Sequence, residues 1–324
     1  MSMNGTRIGE IYLSQVRKRL ASQFGPVIMQ ALGDPQVNEI MLNQDGRIYV
    51  ESAGALRPAG ELEPSMSTAV IRTVASVVGQ PLRAEHPVVS GELPFDGARF
   101  EGLLPPLCRG PVFSIRCHNA HQDSLQSLGE RGFMSAAQQS VLSEALLSRK
   151  SLLIAGGTGC GKTTLARALL REVGRLSPRE RLITIEDTPE LGACVDNQVN
   201  LYASAEVSMC TLLRSTLRLR PDRIVVGEVR GAEALDLIDA LCTGHRGGLA
   251  TVHAGSAAGA LRRMALLVSR HPQAPRVIEP LVAEAFDLVI TLGREPVRRV
   301  LDITAISGVE QGRFILQTLG ESAG

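Results

Sequence analysis

Residues 156–164 read GGTGCGKTT, the most informative stretch of the chain. They satisfy the spacing GxxxxGK[ST] of a P-loop, in which glycines let backbone N–H groups turn inward around a phosphate. An apolar segment, 151–155, precedes the stretch and a helical pattern, 164–173, follows it. The N-terminal end of such a helix is positive and faces the same anion. The sequence therefore predicts that the chain binds a nucleoside triphosphate such as ATP.

Each residue of the loop has an expected role in nucleotide binding. The amine of Lys162 is expected to reach the β- and γ-phosphates, and the hydroxyl of Thr163 to bind Mg²⁺. Only three lysines occur in the chain against 31 arginines, so a lysine at this position is not an accident of composition. The other residues expected to line the phosphates are Gly156, Gly157, Thr158, Gly159, Cys160, Gly161 and Thr164.

A pair of carboxylates, Glu186 and Asp187, follows the apolar segment 181–185. Ligand sites of open α/β sheets gather at such strand ends. The two side chains are expected to position water or to hold Mg²⁺, and we assign Glu186 a catalytic role. A turn or the cap of a following helix is the alternative for this cluster.

Glu228 and His253 stand after two further mostly apolar segments, 223–226 and 249–252. Glu228 is expected to orient the attacking water in phosphoryl transfer. A usual Walker B strand has an aspartate just before that glutamate, whereas this chain has Gly227, so Mg²⁺ must rely on Thr163, water and the neighbouring acidic cluster. His253 is expected to donate to the γ-phosphate and so to report its presence. For a single histidine, a structural role is the alternative.

Composition argues against several classes of protein. The net charge is +1, only 3% of residues are aromatic and none is tryptophan, so direct nucleic-acid binding is not expected. Six cysteines without a CxxC pair, and no signal peptide, predict reduced thiols in the cytoplasm. No apolar run approaches the roughly 20 residues that cross a bilayer, so any membrane role is expected to be peripheral. The spacing of Cys108, Cys117, His118 and His121 matches no common zinc site, and no structural metal is predicted.

The N-terminal part is predicted to be a small α+β domain, residues 1–121. A helical pattern near the N-terminus is expected to break at Gly25-Pro26. Strands are predicted at 37–42, 47–50, 99–104 and 112–116, and a helix at 67–78.

The remainder is predicted to be a linker, 122–134, and a RecA-like P-loop NTPase domain, 135–324. Ser135 is expected to cap the first helix of that domain. Short apolar segments alternate there with longer helical patterns, as in a mainly parallel, helix-covered sheet. The fold class is therefore predicted to be α/β with a smaller α+β domain in front.

The ordered motifs resemble those of the type II and type IV secretion ATPases, which carry a Walker A loop, an acidic box, an atypical Walker B and a histidine box. Those places are filled by 156–164, 185–191, 217–228 and 243–253. The chain is shorter than most type II assembly ATPases and lacks their paired-CxxC zinc module. It is most similar to the conjugal-transfer ATPases of the TrbB type.

This resemblance implies a hexameric ring of identical chains that hydrolyses ATP with Mg²⁺ and works on the inner-membrane components of a transfer or secretion complex. It implies that nucleotide lies between the two domains and that Arg99 and Arg116 reach the phosphates, although both could equally be surface strand residues. The protein is expected to be cytoplasmic and peripheral at the inner membrane. A pilus assembly or retraction motor, a nucleic-acid motor and a non-hydrolysing nucleotide-gated scaffold are the alternatives.

Overall fold

The computed structural model describes residues 3–52, 55–95, 97–117, 123–204 and 206–319. The chain divides into two compact units, Met1–His121 and Gln122–Gly324. The described elements of the first unit are α1 (Met3–Gly33), β1 (Val37–Leu42), β2 (Arg47–Ser52), β3 (Ala55–Glu61), α2 (Pro64–Val77), β4 (Val88–Glu92), β5 (Arg99–Leu103) and β6 (Val112–Arg116).

The first unit is an antiparallel sheet with helices over one face, which confirms the predicted α+β class. The strand order is β3-β2-β1-β6-β5-β4. Helix α1 is broken at Gly25, where φ is +71°, and Pro26 follows it, as predicted. The sequence analysis missed β3 and β4. Strand β3 is an exposed edge that contains Pro58, so it lacks the apolar alternation by which half-buried strands are recognised.

The described elements of the second unit are α3 (Leu125–Glu130), α4 (Ala136–Leu147), β7 (Leu152–Gly156), α5 (Lys162–Leu176), β8 (Leu182–Glu186), β9 (Gln198–Tyr202), α6 (Met209–Thr216), β10 (Arg223–Val226), α7 (Glu233–Cys242), β11 (Leu249–Val252), α8 (Ala257–Val268), α9 (Glu279–Ala285), β12 (Leu288–Gly293), β13 (Arg299–Glu310) and β14 (Arg313–Leu319).

The sheet of the second unit is mixed: its larger part is parallel, as the sequence predicted, and its antiparallel edge was not predicted. Its order is β14-β13-β12-β7-β11-β10-β8-β9. The six strands from β12 to β9 are parallel, and β13 and β14 form an antiparallel hairpin at one edge. The hairpin turns at Gln311 and Gly312, both with positive φ. The sequence analysis missed this hairpin because β14 is mostly exposed and has no buried apolar run.

Apolar residues cover both faces of this sheet. Leu152 and Ile154 of β7 pack into one buried cluster with α5, and Leu153 and Ala155 pack into another with α7 and α8. Because both faces are covered, the central strands are apolar at nearly every position rather than at alternate ones. Among the described residues, no helix has the length and apolar character needed to span a membrane.

The stretch predicted as a linker contains helix α3. Ser124 caps it by accepting from the N–H of Ser127, and Leu125 and Leu128 are buried with residues of α4 and α5. The described part of this stretch therefore belongs to the core of the second unit. Helix α3 could not be predicted from the sequence, because six residues are too few to show a helical period. Ser135 caps α4, as predicted.

A buried arginine joins three segments at the amino end of β10. Arg223 is 1% exposed, and its Nη2 donates to the carbonyl of Leu146 at 2.8 Å. Its Nε donates to Glu180, which also accepts from Nη2 of the exposed Arg149 at 2.7 Å. Burial alone would raise the pKa of Glu180, but the hydrogen bonds from the two arginines lower it below its ordinary value.

One carboxylate thus binds a buried and an exposed arginine, which provides a matched stability test. Arg223→Met is expected to lower the free energy of unfolding of the second unit by about 3 kcal/mol, because it breaks a buried pair and leaves carbonyls without donors. Arg149→Met is expected to cost about 0–1 kcal/mol, as for exposed ion pairs. Urea unfolding of both variants measures the difference. Equal losses would contradict the role of burial.

Candidate nucleotide site

The predicted motifs meet at the carboxyl-terminal ends of the parallel strands in the second unit. Strands β7, β11, β10 and β8 are consecutive neighbours and run parallel. The P-loop follows β7, His253 follows β11, Glu228 stands two residues after β10, and Glu186 is the last residue of β8. The carboxyl ends of parallel strands lie on the same side of the sheet, and α/β sheets bind their ligands there. The structure therefore brings together side chains up to 100 residues apart in sequence.

The P-loop has the backbone conformation that its glycines allow. Gly159 and Gly161 have φ of +71° and +100°, values that other residues rarely adopt. A Cβ at Gly156 would lie 2.3 Å from Sγ of Cys160, so only glycine fits beneath that buried thiol. Helix α5 begins at Lys162, immediately after Gly161. Its first N–H groups therefore face the loop, as an anion site requires.

Lys162 and Thr163 are both engaged in contacts at the start of α5. The Nζ atom of Lys162 donates to the carbonyl of Gly156 at 2.9 Å and to that of Gly157 at 3.1 Å. The hydroxyl of Thr163 donates to Oε2 of Glu190 at 2.7 Å. Glu190 lies within the predicted acidic box, 185–191, but no role was assigned to it from the sequence. Its contact with Thr163 makes it a candidate site residue.

Glu186 is buried and supports the acidic loop. Its Oε1 accepts the backbone N–H groups of Glu190 and Leu191, each at 3.0 Å. Its Oε2 is buried and has no hydrogen-bond donor among the described residues. Burial raises the pKa of Glu186, the two N–H donors oppose that rise, and the nearby charges of Glu190 and Asp187 add to it. The side chain therefore fixes the backbone of residues 190 and 191 while keeping one oxygen available.

The position before Glu228 has no room for a side chain. Ile185 of β8 lies opposite Val226 of β10, so residues 186 and 227 are neighbours just beyond. A Cβ at Gly227 would lie 2.9 Å from Cγ of Glu186. The glutamate of the acidic box thus fills the space that a Walker B aspartate would need. This packing explains why the chain has glycine there.

Arg230 links the Walker B glutamate to the acidic box. Its Nη2 donates to Oε2 of Glu228 at 2.6 Å, and its Nη1 donates to Asp187. The hydrogen bond that Arg230 donates to Glu228 is the main cause of its raised pKa, against the effect of burial. Glu233 accepts the backbone N–H groups of Arg230 and Gly231, each at 2.7 Å, and so fixes that turn. The sequence analysis missed Arg230 and Glu233 because neither belongs to a motif by itself.

His253 lies beside Glu228. Its Nε2 is 2.9 Å from Oε1 of Glu228, within ion-pair distance but without the alignment of a hydrogen bond. Burial, and then the charge of Lys162, lowers the pKa of His253 below its ordinary value, despite the opposing charge of Glu228. This shift favours the uncharged imidazole. A neutral ring can donate through one nitrogen and accept through the other.

Strand β11 also holds the loop that carries Glu228. The hydroxyl of Thr251 donates to the carbonyl of Gly227 at 2.7 Å, and the N–H of Val229 donates to the carbonyl of Thr251 at 2.9 Å. The first part of the histidine box, residues 243–248, precedes β11. It therefore lies at the amino-terminal ends of the parallel strands, away from the P-loop. There the Nδ1 atom of His245 is 3.2 Å from the carbonyl of Ala240 near the end of α7.

The residues around Thr163 suit a nucleotide-bound Mg²⁺. The hydroxyl of Thr163, the carboxylate of Glu190 and the unpartnered oxygen of Glu186 are hard oxygen ligands. Across the described ranges, no group of three or more His, Cys, Asp and Glu side chains could hold a metal ion. Mg²⁺ commonly uses one or two carboxylates together with water and substrate phosphates, so these residues fit an ion that arrives with the nucleotide.

Arg99 and Arg116 are direct neighbours in the sheet of the first unit. They lie opposite each other on β5 and β6. Glu92 lies opposite Arg99 on β4, and Glu39 lies opposite Arg116 on β1. Two like charges directly across a strand pair repel each other, and the flanking carboxylates offset that repulsion.

The residues considered for zinc are only partly within the described structure. Cys108 and Cys117 lie in the first unit, whereas His118 and His121 lie outside the described residues.

The chain is similar to known proteins both in sequence and in fold. A family model described as type II/IV secretion system protein matches residues 22–295. The probable conjugal transfer protein TrbB of Sinorhizobium fredii is 42% identical over 303 residues, 93% of each chain. The conjugal transfer protein TrbB of Rhizobium radiobacter is 41% identical over 299 residues, 92% of each chain. The solved structure of the Legionella pneumophila ATPase DotB is similar in fold, with a TM-score of 0.62 at 19% identity over 86% of this chain and 80% of that one.

Proposed function

This chain belongs to the type II/IV secretion system protein family, and from that premise we propose that it is an ATP hydrolase powering conjugative transfer or type IV secretion. One observation carries the proposal. The P-loop, His253, Glu228 and Glu186 converge at the ends of four adjacent parallel strands. We assign the second unit to the RecA-like class of P-loop NTPase domains on the same ground.

The P-loop is the phosphate-binding element in this proposal. Backbone N–H groups of residues 156–164 and the first turn of α5 surround the phosphates, and Lys162 supplies a positive charge close to them. Thr163 and Glu190 are the residues that would hold Mg²⁺, with the carboxylate of Glu186 close behind the acidic loop. A bound Mg²⁺ supplies charge neutralisation at the phosphates.

Glu228 orients the attacking water in this proposal. Arg230 fixes one oxygen of its carboxylate, and Thr251 and Val229 hold the backbone on either side. A carboxylate held in this way keeps a defined direction, which matters because phosphoryl transfer depends mainly on positioning and charge stabilisation. His253, which lies beside Glu228, is the group that we assign to sensing the γ-phosphate.

We propose a homohexameric ring on the cytoplasmic side of the inner membrane, which acts on membrane components of the transfer complex. Arg99 and Arg116 are proposed as phosphate-binding arginines, supported by their direct pairing across β5 and β6. Identity of 41–42% to TrbB proteins over more than 90% of each chain favours conjugative transfer over the pilus-motor alternative.

The proposal is tested by phosphate release from ATP with the purified full chain, alongside native mass measurement with and without ATP. We expect hydrolysis and a six-fold multiple of the chain mass. Binding of ATP without phosphate release would leave a nucleotide-gated scaffold instead. A monomer under all conditions would remove the ring, and strong stimulation of hydrolysis by DNA would favour a nucleic-acid motor.

A further inference from the structure

We propose that Arg294 is a further phosphate-binding cation of the nucleotide site, placed beside the P-loop within the second unit, an inference that rests on the proposed ATPase function. Arg294 directly follows β12, the strand next to β7 on the side away from β11. Leu292 of β12 lies opposite Gly156 of β7 in parallel register. The chain therefore leaves β12 beside the point where the P-loop begins.

The guanidinium of Arg294 lies against the P-loop. A Cβ at Gly159 would be 3.7 Å from its Nη1 and 4.0 Å from its Cζ, which are ordinary contact distances. Gly159 is the loop residue with φ of +71°, where the backbone turns around the expected phosphate position. The cation is thus placed beside the phosphate-binding backbone by the fold itself.

The backbone around Arg294 is held at both ends by segments that touch the P-loop. At one end, Leu292 pairs with Gly156. At the other end, the N–H of Val300 donates to the carbonyl of Phe133 at 2.7 Å. The ring of Phe133 in turn lies 3.1 Å from where a Cβ of Gly161 would be. Both ends of the segment 293–300 are therefore fixed relative to the loop, and this limits where Arg294 can reach.

The charge of Arg294 is available for a ligand. The side chain is exposed, and no hydrogen bond or ion pair engages its guanidinium in the described part of the chain. The acidic neighbour Glu295 makes no ion pair with it. By contrast, Lys162 donates to two loop carbonyls, and Arg230 is engaged by Glu228 and Asp187.

Arginine suits phosphate recognition better than a point charge does. Its planar guanidinium has five N–H donors in a fork that matches two phosphate oxygens at once. A triphosphate carries several negative charges that one lysine does not balance. Arg294 would bind this charge from the β12 side of the loop, while Lys162 binds it from the start of α5.

The test compares three variants of the full chain: Arg294→Ala, Arg294→Lys and the control Arg313→Ala. Arg313 is an exposed arginine at the start of β14, so its loss changes net charge equally. Competition against a fluorescent ADP analogue gives the affinity for ATP, ADP and inorganic tripolyphosphate. Arg294→Ala is expected to weaken all three by about ten-fold or more, since hydrogen bonds to charged groups have that effect. Arg294→Lys should lose part of this, and Arg313→Ala none.

Tripolyphosphate distinguishes a phosphate contact from a base contact. If Arg294→Ala weakens ATP and ADP but leaves tripolyphosphate binding unchanged, the arginine contacts the base or ribose and the proposal is overturned. Unchanged affinity for all three probes overturns it as well. Neither result touches the ATPase assignment, which fails if the unaltered chain binds no ATP or releases no phosphate from it. Thermal unfolding of each variant shows whether the fold is retained.

Discussion

Replacing Glu228 by glutamine is expected to lower the rate of ATP hydrolysis by about 10²- to 10⁴-fold, the usual contribution of a positioned acid or base. ATP affinity should stay near that of the unaltered chain, because phosphate contacts are assigned to the P-loop and not to this residue. The amide keeps the size of the carboxylate and can still accept from Arg230. It loses the negative charge that orients and polarises water. Steady-state phosphate release and equilibrium nucleotide binding measure the two quantities separately.

The control for this variant is Glu284→Gln, an equal loss of charge on the exposed side of α9. Its turnover should match that of the unaltered chain. A Glu228→Gln protein that hydrolyses ATP at the original rate would remove Glu228 from its assigned role. In that case Glu186 and Glu190 become the carboxylates to examine, since Glu186 packs against Gly227 and Glu190 accepts from Thr163.

The local part of the site could be predicted from the sequence. Lys162, Thr163 and the loop glycines lie within nine residues, and their spacing alone reveals the phosphate cradle. Glu228 could be placed at the carboxyl end of a strand because it follows a buried segment whose last three residues, 224–226, are apolar. Strands that are buried on both faces are recognisable as mostly apolar runs. The predicted segment 223–226 therefore coincides with β10, and 249–252 coincides with β11.

Contacts between residues from different strands could not be predicted, because they depend on which strands are neighbours in the sheet. Gly227 lies against Glu186 only because β8 and β10 are adjacent in the sheet. Arg230 reaches Asp187 across 43 residues of sequence for the same reason. Arg294 comes beside the P-loop because β12 is placed next to β7. Each of these contacts follows from strand order, which a single sequence does not state.

Substitution of Lys162 by alanine is expected to weaken ATP binding by about 10²-fold or more, since it removes a charged donor to the phosphates. Hydrolysis at subsaturating ATP should fall with it. This differs from Glu228→Gln, in which binding is retained. The amine also donates to the carbonyls of Gly156 and Gly157, so a small loss in the stability of the loop is expected too, about 1 kcal/mol. Competition binding measures the first effect, and thermal unfolding without nucleotide measures the second.

The chain itself provides the matched control, Lys150→Ala. Lys150 is exposed and precedes β7, so it lies at the end of that strand opposite the P-loop. Both substitutions remove the same side chain and the same charge, so a difference between them reports position alone. An affinity unchanged in Lys162→Ala would count directly against a phosphate-binding P-loop. A loss in Lys162→Ala with none in Lys150→Ala places the phosphates at the start of α5, where the backbone N–H groups of the helix also converge.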